Sequence, residues 1–314
     1  MLKFVRVFLV FAVLTMGCGS SVSTTGTSSS TEAIPSPSTT AEPPSSSTTS
    51  LQPSSSSTST ESTTTTVQSV EEEVNVYWGG MVTNATGTPE RLLAGGRIVS
   101  SSPAHAAIEA LLDGPNALET EIGMFTSIPT GTRLIDIAIA NGVAIIDLSA
   151  EFEQSSGSLA EFMRVGQIVF TLTQFDDIDG VSFKIAGVET RTLGSHGIDA
   201  STPLDRNDFE AIRALILPER PYPGALFHSG DSISGESNTF EASVEWVVTD
   251  ADGVIIGEGF TTATNGNGSW GTFDITGVLD AETAGRGSVV VFDTSAKDGS
   301  QINIVEYPVI LEGA

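Results

Sequence analysis

Few residues of this 314-residue chain are of types that do chemistry in pairs or triplets. It has one cysteine, Cys18, so neither an intrachain disulfide nor a cysteine-built zinc site can form. His105, His196 and His228 are far apart in sequence with no His-x-x-x-His spacing, and no metal is assigned to them. Glu151 and Glu153 come nearest to the acid and base of a glycosidase. In a chain with 39 Asp plus Glu such pairs arise freely, and solvated surface is the preferred reading. The stretch Gly230-Asp231-Ser232-Ile233-Ser234-Gly235 has one residue too many for a nucleophile elbow. Asp176-Asp177-Ile178-Asp179-Gly180 hints at a calcium loop, but Phe175 takes the first ligand position of that frame and Ala186 the last. Asp250-Ala251-Asp252-Gly253 fails in the same way, with Val248 and Gly259 at those positions. No catalytic residue, cofactor or metal is expected, and the chain is expected not to be an enzyme.

Charge narrows the partners. Against 39 acidic residues stand 13 Lys plus Arg, for a formal net charge of -26, a surface that repels phosphate backbones and disfavours nucleic acid. Docking on anionic lipid through a basic patch is disfavoured too, since only Lys3 and Arg6 precede Arg91.

Residues 1–17 begin with Lys3 and Arg6, run apolar from Val7 to Met16 and end on Gly17: a secretory signal peptide, too short in its apolar part to span a bilayer. Leu14-Thr15-Met16-Gly17-Cys18 resembles the bacterial lipobox, with Thr15 where that family most often has Leu. The resemblance implies a diacylglyceryl group on the Cys18 sulfur, cleavage before it and frequent acylation of the new amino terminus. At about 0.8 kcal/mol per buried methylene, two or more acyl chains hold a protein at a membrane. From Cys18 to residue 69 the chain is Ser, Thr and Pro with scattered Glu, a composition without a core that reads as a disordered tether. As a flexible coil of about fifty residues it spans on the order of 40 Å, and drawn out roughly 165 Å.

The first folded domain is expected over residues 70–216. Val74 to Trp78 alternates as a strand that Gly79-Gly80 ends, and a second strand covers Arg91 to Ser100. Ser102-Pro103 offers an N-cap and a first-turn proline for a helix with Ile108, Leu111 and Leu112 inside, stopped by Asp113-Gly114-Pro115. Asn141-Gly142 between two apolar runs marks a hairpin over 132–148. Ser158 and Glu161 read as the capping box of a second helix whose buried face is Leu159, Phe162, Met163, Val169 and Phe170. Val181 to Ile185 returns as a strand, Gly187 turns, and Val188 to Thr192 pairs back.

The strand at Val76-Tyr77-Trp78, the helix end Ala110-Leu111-Leu112-Asp113-Gly114-Pro115, Ile128 to Thr132, Val143 to Ser149, Leu172 to Phe175 and Val181 to Gly187 together resemble the sporulation and spore-germination domain called GerMN. The resemblance implies a compact α+β domain with a mixed sheet and two helices, akin to ring-building modules, found in envelope lipoproteins and without known catalytic residues.

Pro218, Pro221 and Pro223 punctuate the chain, so residues 217–221 are expected to be a linker between independently folding domains. Residues 222–314 read as an all-β sandwich. Phe240, Ala242, Val244, Trp246 and Val248 form one face of a strand, Asp250 to Gly253 a hairpin turn, and further strands are expected at 271–275, 288–292 and 302–311. The order Ser229-Gly230 to Ser234-Gly235, Phe240-Glu241-Ala242, Asp250 to Gly253, Gly271-Thr272-Phe273 and Ser295 to Gly299 resembles the immunoglobulin-like domain of bacterial spore-germination proteins, which often follows the domain above.

The sequence therefore leads to a lipoprotein on the extracytoplasmic face of the cell membrane, anchored at Cys18, whose folded domains bind an envelope protein or a cell-wall polymer. Trp78 and Trp270, beside glycine turns, are the candidate contact residues, with a core position the commoner fate of such tryptophans. The alternatives are a wall-glycan enzyme using the acidic pairs and a small-ligand receptor with a concave apolar pocket.

Overall fold

The structure, a computed structural model, describes residues 71–279 and 283–313. Cys18, the leader and the tether lie outside the described residues.

The chain enters through β1 (Glu72–Met81), whose apolar residues Val74, Val76 and Trp78 are buried along with Tyr77 between them, and which pairs antiparallel with β2 (Glu90–Val99). Gly79 and Gly80 do not end the strand. Gly79 exchanges two backbone hydrogen bonds of 2.8 Å with Phe125, and a Cβ there would stand 2.5 Å from the Phe125 ring, so the glycine permits close approach where a turn was expected.

Helix α1 (Pro103–Asp113) follows, with Ile108 and Leu111 inside, and ends at Gly114 with φ at 91°. Its expected cap is corrected. Ser102 is itself left-handed and its hydroxyl makes no capping bond; its carbonyl accepts from Ala106 instead. The side-chain cap falls on the short α2 (Ala117–Glu121), where Asn116 and Glu119 form a reciprocal box that the sequence reading passed over.

Strands β3 (Leu134–Ala140) and β4 (Val143–Leu148) form the expected hairpin, with Asn141 and Gly142 both at positive φ. Helix α3 (Ser158–Leu172) crosses over to β5 (Gly180–Ile185), which lies parallel to β4, and β6 (Val188–Thr190) folds back on β5. The four-stranded sheet is thus mixed, in the order β3-β4-β5-β6. Leu159 is 46% exposed rather than buried, while Met163, Val169 and Phe170 are inside. A small ribbon, β7 (Thr192–Leu193) and β8 (Ile198–Asp199), carries the loop 194–197.

The expected linker is a strand. β9 (Ile216–Arg220) pairs antiparallel with β11 (Ser232–Ser237), which pairs in turn with β14 (Gly271–Thr276). Pro218 is tolerated because β9 is the edge of this three-stranded sheet and the register shifts beside it. Facing it is a five-stranded sheet in the order β10-β16-β15-β12-β13, made of β10 (Leu226–Phe227), β12 (Ser243–Asp250), β13 (Ile255–Thr262), β15 (Gly285–Thr294) and β16 (Gln301–Leu311). Val244, Trp246 and Val248 point into the sandwich as expected, whereas Phe240 to Ala242 is a tight turn with Phe240 62% exposed.

The two halves share one core. Ile216 and Leu217 are fully buried in a cluster that runs without a break from Val76 to Leu311. The Tyr307 hydroxyl of β16 accepts from the Ala94 amide of β2 at 3.1 Å, and the Ile304 amide donates to Thr83. Independent folding of the halves is not what this packing implies.

Candidate functional site

The Ser195-His196 loop lies over the first turn of α3, where it meets Glu161. These are the residue types of a hydrolase triad. The Ser195 hydroxyl donates to Glu161 Oε1 at 2.7 Å, and His196 Nδ1 lies 2.9 Å from Glu161 Oε2 and 3.3 Å from Ser195 Oγ. In a triad the serine meets the imidazole nitrogen opposite the one held by the carboxylate. Here both meet Nδ1, and Ser195 gives its hydrogen to the acid, so no base activates the hydroxyl.

Glu161 also accepts from the Ser156 and His196 amides. Burial by itself would raise its pKa, but the bonds from Ser195, Ser156 and His196 outweigh that and hold the carboxyl well below its usual range. Its role is that of a loop staple. The expected capping box is corrected accordingly: Ser158 is inside the helix, Gly157 stands at the cap, and Glu161 reaches outward to the 195–196 loop.

Glu151 and Glu153 sit on one short 3-10 turn, with Phe152 buried between them. Glu151 is exposed, 3.8 Å from Arg133, while Glu153 accepts from the Gly194 amide at 3.0 Å. His228 bridges Asp231 and Glu312 at 3.1 and 3.0 Å, and His105 lies 3.5 Å from Glu109. Trp78 is fully buried beneath the Arg97 guanidinium and is not a contact residue. Trp270 is half-buried, its ring 3.4 Å from the centre of the Arg213 guanidinium.

The densest polar network joins the two halves. Arg206, from the short helical segment Arg206–Ile212, donates to Glu236 of β11 at 2.7 Å, to Glu219 of β9 at 3.3 Å and to the Tyr77 hydroxyl of β1 at 3.0 Å. Tyr77 donates its own hydrogen to Glu219, and Arg213 pairs with Glu236 from the other side. The Arg206 guanidinium lies over the Phe170 and Tyr77 rings at 4.9 and 5.3 Å. Burial first, and the adjacent Glu219 carboxylate after it, push the Tyr77 phenol far above its usual range. For Glu236 burial pulls upward, but Arg206 and Arg213 more than offset it and keep the carboxyl ionised.

Beside this network a cleft of about 930 Å³ runs between the halves, with Asn75, Gln174 and Asp176 on one wall and Ser234, Thr262 and Asp274 on the other. None of these lining residues was singled out from sequence as binding. A signal was available: only 13 basic residues occur in the chain, and Arg206, Arg213 and Arg220 fall within one short stretch of it. In so acidic a chain such a group needs carboxylate partners nearby in space.

The fold is that of an α+β module with a mixed sheet, joined through a polar seam to an immunoglobulin-like sandwich. Residues 75–191 match the family model described as sporulation and spore germination, and residues 216–300 match that described as the immunoglobulin-like domain of bacterial spore germination. The chain thus carries a GerMN domain followed by an immunoglobulin-like domain of the spore-germination type, and the second match begins at Ile216, the first residue of β9.

Among solved structures, the chain is similar to the first GerMN domain of the sporulation protein GerM from Bacillus subtilis, at 26% identity and a TM-score of 0.35 over 43% of this chain and 98% of that one. It is also similar to a structure titled putative lipoprotein from Clostridium perfringens, at 21% identity and a TM-score of 0.32 over 46% and 93%. The tandem GerMN domains of the Bacillus subtilis protein match at 18% identity and a TM-score of 0.35 over 68% and 62%. No curated protein matches the chain.

Proposed function

We propose that this germination-type protein is a non-catalytic adaptor held on the extracytoplasmic face of the cell membrane by a lipid on Cys18, whose two joined domains present a fixed binding surface to an envelope protein or cell-wall polymer. The observation that carries the reading is the seam. Arg206, Arg213, Glu219, Glu236 and Tyr77 are spent on one another and fix the sandwich against the first module, which suits a part that must hold a shape. The Ser195, His196 and Glu161 cluster supports it as well, since its hydrogen bonds tie a loop and leave the hydroxyl without a base. The lipobox-like Leu14 to Cys18 and the Ser/Thr/Pro tether supply attachment and reach. Among the described residues no helix is long and apolar enough to cross a membrane, so within that part of the chain no helical span competes with the lipid as the anchor.

Fractionating cells that express the wild type and Cys18→Ser tests the anchor. The wild type is expected with membranes and the variant in the medium, and an unchanged distribution overturns lipid attachment. Crosslinking in the native envelope followed by affinity purification tests the adaptor role. A reproducible partner or wall fragment is expected, whereas turnover of wall glycan by the purified protein overturns the non-catalytic reading.

A further inference from the structure

The cleft beside the seam is of the size of ligand sites, about 300 to 1,000 Å³, and lies where such sites concentrate, between two domains. Its chemistry is selective. Six carboxylates line it, from Glu72, Glu73, Asp176, Glu219, Glu236 and Asp274, against two guanidiniums, and both of those are committed. Arg206 is held by Glu219 and Glu236, and Arg220 by Glu73 and the Asn75 side-chain amide oxygen Oδ1. An anionic ligand would meet net negative charge with no free cation to receive it. Glu72, Asp176 and Asp274 are in no ion pair among the described residues and all three are exposed; Asp274 accepts one hydrogen bond, from the Ser232 hydroxyl at 2.6 Å, and keeps its charge open to a ligand.

Most of the rest of the lining is hydroxyl and amide. Thr261, Thr262 and Ser234 of the sandwich engage no side-chain hydrogen-bond partner among the described residues, and Thr264 and Thr272 stand beside them at the rim. Phe175, half-buried, offers an aromatic surface at the opposite wall. Hydroxyls that both donate and accept, carboxylates and an aromatic ring match a ligand that carries many hydroxyls and a positive charge. An apolar ligand would strand these polar groups without partners.

We propose that the cleft binds an oligosaccharide of amino sugars with free amines, its ammonium groups on Asp176 and Asp274 and its hydroxyls on the threonines of β13 and β14. This deepens the adaptor reading by giving the wall polymer a chemistry and a place. Glu219 and Glu236 form the floor and, locked to Arg206, take no part in recognition beyond shaping it.

Calorimetry on the full-length protein in detergent tests the proposal with a β-1,4-linked glucosamine tetramer at about pH 6, where its amines are charged. Binding is expected, at least about tenfold tighter than that of the N-acetylglucosamine tetramer and of tetralysine. The Asp176→Asn, Asp274→Asn double variant removes two exposed charges without touching the seam. It is expected to lose about tenfold in affinity with its thermal midpoint unchanged. No binding of the glucosamine tetramer at about 1 mM, equal binding of tetralysine, or an unaffected double variant each overturns the proposal. Membrane retention and partner capture by the same double variant are measured in parallel. If these persist while the sugar does not bind, the cleft assignment falls and the adaptor reading stands.

Discussion

Arg206 and Glu236, 30 residues apart in sequence, meet at 2.7 Å across the seam between the α+β module and the sandwich. Both side chains are mostly buried, and Arg213 and Glu219 complete the charge balance around them. Arg206→Met leaves Glu219, Glu236 and the Tyr77 hydroxyl short of a donor, at a cost of about 3 kcal/mol. Urea unfolding reads this directly. A double cycle with Glu236→Gln should return a coupling above about 1 kcal/mol, and strict additivity would show that the pair is not energetically joined.

Cutting the chain before Pro221 removes β9 from the sandwich. The piece 221–314 then lacks the buried Ile216 and Leu217, worth on the order of 3–6 kcal/mol together, against a typical total stability of about 5–15 kcal/mol. It is expected to melt without a cooperative transition, while 71–314 melts in one step. Calorimetry of the two pieces checks this, and two separate transitions in the longer one would contradict a shared core.

Acid should loosen the 195–196 loop. The folded pKa of Glu161 lies below its ordinary value of 4.5, so its contribution to stability is present above 4.5 and lost as pH falls through and below that value. Urea midpoints followed from about pH 7 to pH 3 should drop more steeply for the wild type than for Glu161→Gln. Parallel curves would remove Glu161 from the account of acid sensitivity.

The two carboxylates of the 3-10 turn should behave differently from each other and neither should carry activity. Glu151→Gln alters an exposed group and is expected to leave the melting midpoint within error. Glu153→Gln removes a charge near the buried Arg164 and is expected to lower it measurably. Both variants should still capture the partner in a crosslinking assay. A folded variant that loses capture would return these residues to the candidate site.

What was legible in the sequence was what neighbours along the chain decide. Asn141-Gly142 demands positive φ at two successive residues and so declares its hairpin, Gly114 accepts the positive φ that ends α1, and the alternation of Val244, Trp246 and Val248 names one face of β12. The order of such local signals was also enough to identify both domain types. Tertiary structure decided everything that depends on who arrives from elsewhere. Pro218 reads locally as punctuation, yet β11 supplies a partner and makes its segment an edge strand. Glu161 fits a capping box until the 195–196 loop offers it better donors. Trp78 is beside two glycines that look like a turn and are in fact points of close passage, Gly79 for Phe125 and Gly80 for Leu93. The seam lies mainly on this second side: the grouping of Arg206, Arg213 and Arg220 calls for carboxylate partners, but an ion pair between distant residues has no periodicity, so only the fold brings Tyr77, Arg206 and Glu236 within reach, and only burial makes their hydrogen bonds worth more than those they would make with water.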